Sequence, residues 1–300
     1  LLGIPSLPET FFLPVFFIFL LFYLLILMGN ALILVAVVAE PSLHKPMYFF
    51  LINLSTLDIL FTTTTVPKML SLFLLGDRFL SFSSCLLQMY LFQSFTCSEA
   101  FILVVMAYDR YVAICHPLHY TLIMTRELCT QMLGGALGLA LFPSLQLTAL
   151  IFTLPFCGYR QEINHFLCDV PPVLRLACAA IRVHQAVLYV VSILVLTIPF
   201  LLICVSYVFI TCAILSIRSA EGRHQAFSTC SSHLTVVLLQ YGCCALAYLH
   251  PQSSSSADED RQFALVYTFI TPLLNPLIYT LRNKDVKGAL EKSAQYQRDT

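Results

Sequence analysis

The chain has 300 residues, no net formal charge, 59% hydrophobic and 11% charged residues, and a mean hydropathy of +0.84. Soluble domains carry roughly a quarter charged residues, and a water-soluble globule of this make-up would expose large apolar patches. The composition therefore excludes a soluble domain in favour of an all-α polytopic membrane protein, and the balanced charge offers nothing for nucleic acid.

In chain order, a short lead with Pro5 and Pro8 precedes the first apolar run. Because the first residue is Leu1 and not Met, the N-terminus is expected to be truncated. A membrane helix needs about 20 residues, and seven stretches supply it: about 11–38, 47–75, 82–115, 127–153, 184–217, 222–250 and 261–281. Pro46 suits the first turn of helix two, where its missing N–H is unneeded. Gly134, Gly135 and Gly138 allow close approach of helix four. Pro199 within helix five is tolerable where neighbours satisfy the freed carbonyl. Helix six begins with the polar face Ser228, Thr229, Ser231, Ser232 and His233, and such Ser and Thr commonly bond to backbone carbonyls. The tail, 283–300, places Val286, Ala289 and Leu290 among lysines, as in a short amphipathic helix lying on a membrane surface.

Seven spans put the termini on opposite sides. The 1–2, 3–4 and 5–6 connections and the tail hold Lys45, Arg126, Arg218, Arg223, Arg282, Lys284, Lys287, Lys292 and Arg298. The other side holds fewer bases and the acidic run Asp258-Glu259-Asp260. The positive-inside bias predicts a cytoplasmic C-terminus and an extracellular N-terminus. The long 4–5 connection then lies outside, where disulfides persist. One bridge from Cys85 into that loop and a second within it would use four of the twelve cysteines; spacing alone does not fix the pairing. His165, Cys168 and Asp169 are metal ligands by residue type, against the plainer reading of a disulfide cysteine and a loop histidine. No metal site is assigned.

Two constellations bear on function. Asp58 and Glu99 fall near mid-membrane, where two close carboxylates cannot both ionise cheaply, so they share a proton or hold a cation. Asn275-Pro276 adds polar groups at similar depth. The second is Asp109-Arg110-Tyr111 at the end of helix three, eleven residues or roughly 16 Å below Glu99. A polytopic transporter using Asp58 and Glu99 for a proton or ion is the alternative class, although no second half repeats the first as transporters often do. No phosphate loop, His-Glu-x-x-His or Gly-x-Ser-x-Gly motif is present, so no catalytic residue is assigned. Helix seven has no lysine for a retinal Schiff base.

From Leu1 to about Leu290 the chain resembles a rhodopsin-like G-protein-coupled receptor of the vertebrate odorant receptor family, class II. The likeness rests on Gly29-Asn30, Pro46-Met47-Tyr48-Phe49-Phe50-Leu51, Met106 to Leu118, Ser206-Tyr207, Ala226 to Leu234 and Pro272 to Tyr279. It implies a plasma-membrane receptor that binds a small volatile and couples to the olfactory stimulatory G protein, raising cyclic AMP. It implies a G-protein latch at Asp109, Arg110 and Tyr111 with Tyr207 and Tyr279, and a helix-six switch at Tyr241, where related receptors carry Trp. It matches Asp58, Glu99 and Asn275 to a central polar site that can take a sodium ion; no other cofactor is implied. It pairs Cys85 with Cys168, leaving Cys157 with Cys178. By analogy the ligand lies among Phe92, Gln93, Thr96, Cys97, Ser192, Leu196, Ala245, Tyr248 and Tyr267, a largely apolar set suited to one hydrogen-bonding function. Two departures stand out. No glycosylation sequon precedes helix one, and Gln225 stands where the family has Lys.

Overall fold

The computed structural model describes residues 1–2, 4, 7–157, 162–178, 182–248, 257–282 and 284–299; the side chains of 247–248, 257, 260, 281–282, 284 and 293–299 are outside the described set. Among these residues the fold is a bundle of long helices: α1 (Phe12–Ala39), α2 (Pro46–Leu75), α3 (Phe82–Cys115), α4 (Arg126–Phe152), α5 (Arg182–Ser216) and α6 (Ala220–Tyr248). The next span, α7, runs as Ala257–Leu265, a π-helical turn at Val266–Ile270, and Thr271–Arg282; α8 follows at Lys284–Asp299. Short helices at Tyr120–Ile123 and Val170–Leu174 sit in the connections.

The helix ends follow local chemistry. Ser81 and Thr125 cap α3 and α4 by accepting from the Ser84 and Leu128 amides at 3.1 and 3.2 Å, which satisfies donors that the first turn leaves free. Gly76 ends α2 with φ +66°, a left-handed conformation that L side chains resist.

Six helices among the described residues are long and apolar enough to cross a membrane. The α6 helix has 29 residues, ample length, but its polar first half lowers its hydropathy. Part of that polarity turns inward: Ser232 and His233 are buried, while Glu221, Arg223, His224, Gln225 and Thr229 are exposed. The α1 helix shows the reverse arrangement: Phe17, Leu21, Leu24, Met28, Leu32 and Val35 are exposed at helical spacing. An apolar stripe facing outward over the length of a span is what lipid contact requires.

Gly29-Asn30 joins α1 to α7. A Cβ at Gly29 would lie 3.1 Å from the Pro276 ring, and Asn30 donates to the Pro272 carbonyl, freed beside a proline, at 3.2 Å. The tail helix α8 buries Val286 and Ala289 in the main apolar cluster, with the Tyr48 hydroxyl donating to Asp285 at 3.1 Å.

Candidate functional site: three stacked polar and apolar layers

The Cys85–Cys168 and Cys157–Cys178 disulfides fasten the 4–5 connection over one end of the bundle. Gln88 on α3 accepts from the Cys168 amide at 2.8 Å. Tyr267 on α7 donates to Asp169 at 3.0 Å, and Arg261 donates to the Asn164 side chain at 2.6 Å. Phe166, Leu167 and Cys168 are thereby fully buried. His165 accepts from the Leu167 amide at 3.2 Å and Asp169 from that of Val170 at 2.7 Å, so the three residues considered as metal ligands are held by structural bonds.

Below this plug lies a narrow cavity of about 70 Å³, lined chiefly by α3, α4 and α5. Gln93, Thr96, Cys97, Ser192 and Leu196 line it. Phe92 and Tyr267 do not; their rings pack together, centroids 5.4 Å apart, in a neighbouring aromatic cluster. Ala245 is also off the wall, and the Tyr248 side chain lies outside the described residues. Sequence reasoning missed the α4 wall (Pro143, Ser144, Leu147), the α5 residues Leu188, Val191 and Val195, and Cys244 on α6. Helices this apolar on every face give no periodic signal of which face points in.

At mid-bundle, Asp58 and Glu99 are 0% and 3% exposed. The two carboxyl groups belong to one buried layer between α2 and α3. Asn275 donates to both Asp58 oxygens at 3.0 and 3.3 Å, and Gln240 donates to Glu99 Oε2 at 3.0 Å. Glu99 Oε1 has no partner among the described residues. Tyr241 donates to the Ala100 carbonyl at 2.9 Å, tying α6 to α3 one residue from Glu99.

At the opposite end Arg110 is locked to Asp109 through Nη2 at 2.6 Å and Nε at 3.1 Å. Tyr120, from the short helix after α3, donates to the other Asp109 oxygen at 2.7 Å. Burial, and next the Asp109 carboxylate, push the Tyr120 phenol well above its ordinary range, so it stays a donor. Tyr111 instead faces His116, its hydroxyl 3.3 Å from the ring Nε2.

The α5–α6 contact is a separate unit. His233 Nε2 lies 3.0 Å from the Leu103 carbonyl and Nδ1 lies 2.7 Å from the Tyr207 hydroxyl. A carbonyl only accepts, so Nε2 carries the proton and Nδ1 accepts from Tyr207. Tyr207 thus bonds to α6 and not to Arg110. The hydroxyls of Tyr279 and Ser232 are buried without partners among the described residues. Both line a cleft of about 600 Å³ that also reaches Arg110 and Tyr120.

The helical bundle, its lipid-suited stripes and its buried polar axis define a multi-pass membrane protein. A family model described as olfactory receptor matches residues 19–295. The chain is 74% identical to human olfactory receptor 10Q1 over 278 residues, covering 93% of this chain and 87% of that protein. It is 61% identical to human olfactory receptor 2AT4 over 300 residues, 97% and 91% of the two, and 54% identical to human olfactory receptor 10V1 over 287 residues, 95% and 92%. The chain belongs to the olfactory receptor family. It is a rhodopsin-like receptor and not an enzyme.

Proposed function

We propose that the chain is an odorant receptor of the plasma membrane whose ligand sits in the cavity under the disulfide-bonded plug, and whose far cleft receives a stimulatory heterotrimeric G protein that raises cyclic AMP. The N-terminus and the plug face outward and α8 lies on the cytoplasmic side, as the distribution of Lys and Arg favours.

The observation that carries this reading is that one end holds an apolar cavity and the other a polar cleft in which Arg110 is restrained. Ligand binding favours the conformation in which α6 moves away from α3. It does so only as far as its affinity for the two conformations differs. Cleft opening separates Tyr207 from His233 and supplies partners for Tyr279 and Ser232, whose hydroxyls are unsatisfied in the closed arrangement; buried polar groups without partners cost free energy. The Asp58, Glu99 and Asn275 layer lies between the two ends. A sodium ion at the free Glu99 oxygen would hold the closed form, in the same way as a shared proton.

The test is a cyclic AMP reporter assay on cells expressing the receptor, with an odorant panel. The expected result is a response to a subset of small, mostly apolar odorants that disappears in Arg110→Ala at unchanged surface expression. An odorant response that survives that substitution in full would overturn the coupling role.

A further inference from the structure

We infer that the Arg110 end of the bundle also carries a binding site for an anionic phospholipid, in a groove between the end of α1, the start of α2 and the start of α4. The groove has a volume of about 550 Å³. Its floor is apolar, built from Val37, Leu43, Phe49, Ile52 and Cys129, and its rim holds Lys45 and Arg126. No Asp or Glu is among its lining residues.

The two rim cations are exposed and have no carboxylate partner among the described residues. The acids nearest in sequence are engaged elsewhere. Glu40 accepts from Ser42 and lies 3.4 Å from Lys292, and Glu127 accepts from Gln131 at 3.3 Å. The His44 ring is turned to the Val38 carbonyl, 3.4 Å away. Both α2 and α4 begin at this rim, at Pro46 and Arg126, and helix N-termini add partial positive charge.

The occupant follows from satisfying both halves of the groove. A soluble anion would meet the cations and leave the apolar floor wet. A neutral lipid would cover the floor and leave two cations facing headgroups without a counter-charge. An anionic phospholipid places its headgroup phosphate and carboxylate at Lys45 and Arg126 and an acyl chain along Phe49 and Ile52. This rests on the proposed orientation, because anionic lipids concentrate in the cytoplasmic leaflet. Lys45 also lines the 600 Å³ cleft, so a headgroup bound there is positioned to restrain that side chain beside the proposed G-protein site.

The experiment uses the whole receptor in phosphatidylcholine nanodiscs containing a minor share of spin-labelled phosphatidylserine, and reads the immobilised lipid fraction. Loss of about fivefold in relative affinity is expected for each rim cation removed, and about 25-fold for Lys45→Gln with Arg126→Gln. Lys287→Gln with Lys292→Gln, which removes two cations from α8, is expected to retain most of the binding. Ile52→Trp, which keeps both charges and fills the floor, is expected to lower it as well. Equal losses in the α8 and rim variants would mean surface electrostatics alone and would overturn the site. Full competition by soluble glycerophosphoserine would overturn the acyl-chain contact. Thermal melting of each variant separates a misfolded receptor from a lost site, and the readout does not depend on signalling, so failure here leaves the receptor reading standing.

Discussion

The two ends of this bundle are built on opposite principles. The cavity under the disulfide-bonded plug is small, about 70 Å³, and almost wholly apolar. Its roof is fixed by two covalent bridges and by bonds from Gln88, Tyr267 and Arg261. The cleft at the Arg110 end is about 600 Å³, and its walls include buried hydroxyls without partners. One end is narrow and roofed by covalent bridges; the other is wide, and unsatisfied hydroxyls line it beside Arg110. A receptor needs that asymmetry. Under the proposed function, the cavity end must hold its shape so that small differences between odorants count, and the Arg110 end must have a second arrangement available to it.

The largest effect should come from breaking the fixed end. Cys85→Ser removes the bridge that carries the roof, and losing a native disulfide costs about 2–5 kcal/mol. The expected outcome is loss of most surface-expressed receptor, measured by antibody labelling of intact cells. The open end should behave differently. Tyr120→Phe deletes one of the bonds that hold Asp109 in place without touching Arg110. A hydrogen bond to a charged group is worth about 1.5–3 kcal/mol, so ligand-free cyclic AMP production should rise by roughly tenfold or more where the closed state dominates, with expression unchanged. An unaltered basal signal would show that Tyr120 does not restrain the latch.

A more moderate effect probes the apolar cavity. Ser144→Leu adds bulk to the α4 wall of a space already small for an odorant. A methylene-sized misfit in a hydrophobic pocket changes recognition by about tenfold or more. The expected result is a rightward shift of the odorant dose–response curve with an unchanged maximum. A matching shift from Phe92→Leu would instead place the ligand in the aromatic cluster beside Tyr267.

The difference between the ends also explains what could be read from the sequence. The long helices, the Asp109–Arg110 pair and the buried acids Asp58 and Glu99 were legible because charged and polar residues are rare in apolar runs, and each therefore carries information. The partner of Gly29 was not, since Pro276 is remote in sequence and only the folded bundle brings the two together. The α4 wall of the cavity was invisible because that helix is apolar on several faces. Tyr120 escaped notice because it lies in a connection, where a tyrosine beside His119 gives no periodic signal. The polar face of α6 was half legible. Thr229 and Ser231 do bond to their own helix, at 3.0 and 2.9 Å, as Ser and Thr in helices commonly do. His233 does not; it reaches across to Leu103 and Tyr207, a role that depends on which neighbours α6 faces.

The smallest expected effect tests whether the α1–α7 seam belongs to the fixed end or the open one. Gly29→Ala puts a methyl group 3.1 Å from the Pro276 ring, which is tighter than ordinary contact, so one of the helices must shift by a few tenths of an ångström. Overpacking of this kind costs about 1–3 kcal/mol, and the helix gains back about 1 kcal/mol from replacing Gly with Ala. The net cost is therefore about 0–2 kcal/mol, a lowering of the melting temperature of purified receptor by a few degrees at most. The informative part is the signal. Pro276 follows Asn275, which holds Asp58, so a displaced α7 loosens the central layer and should raise basal activity along with the loss of stability. If melting falls and basal activity stays flat, the seam is rigid packing. The freedom to switch then resides in α6 and the latch alone.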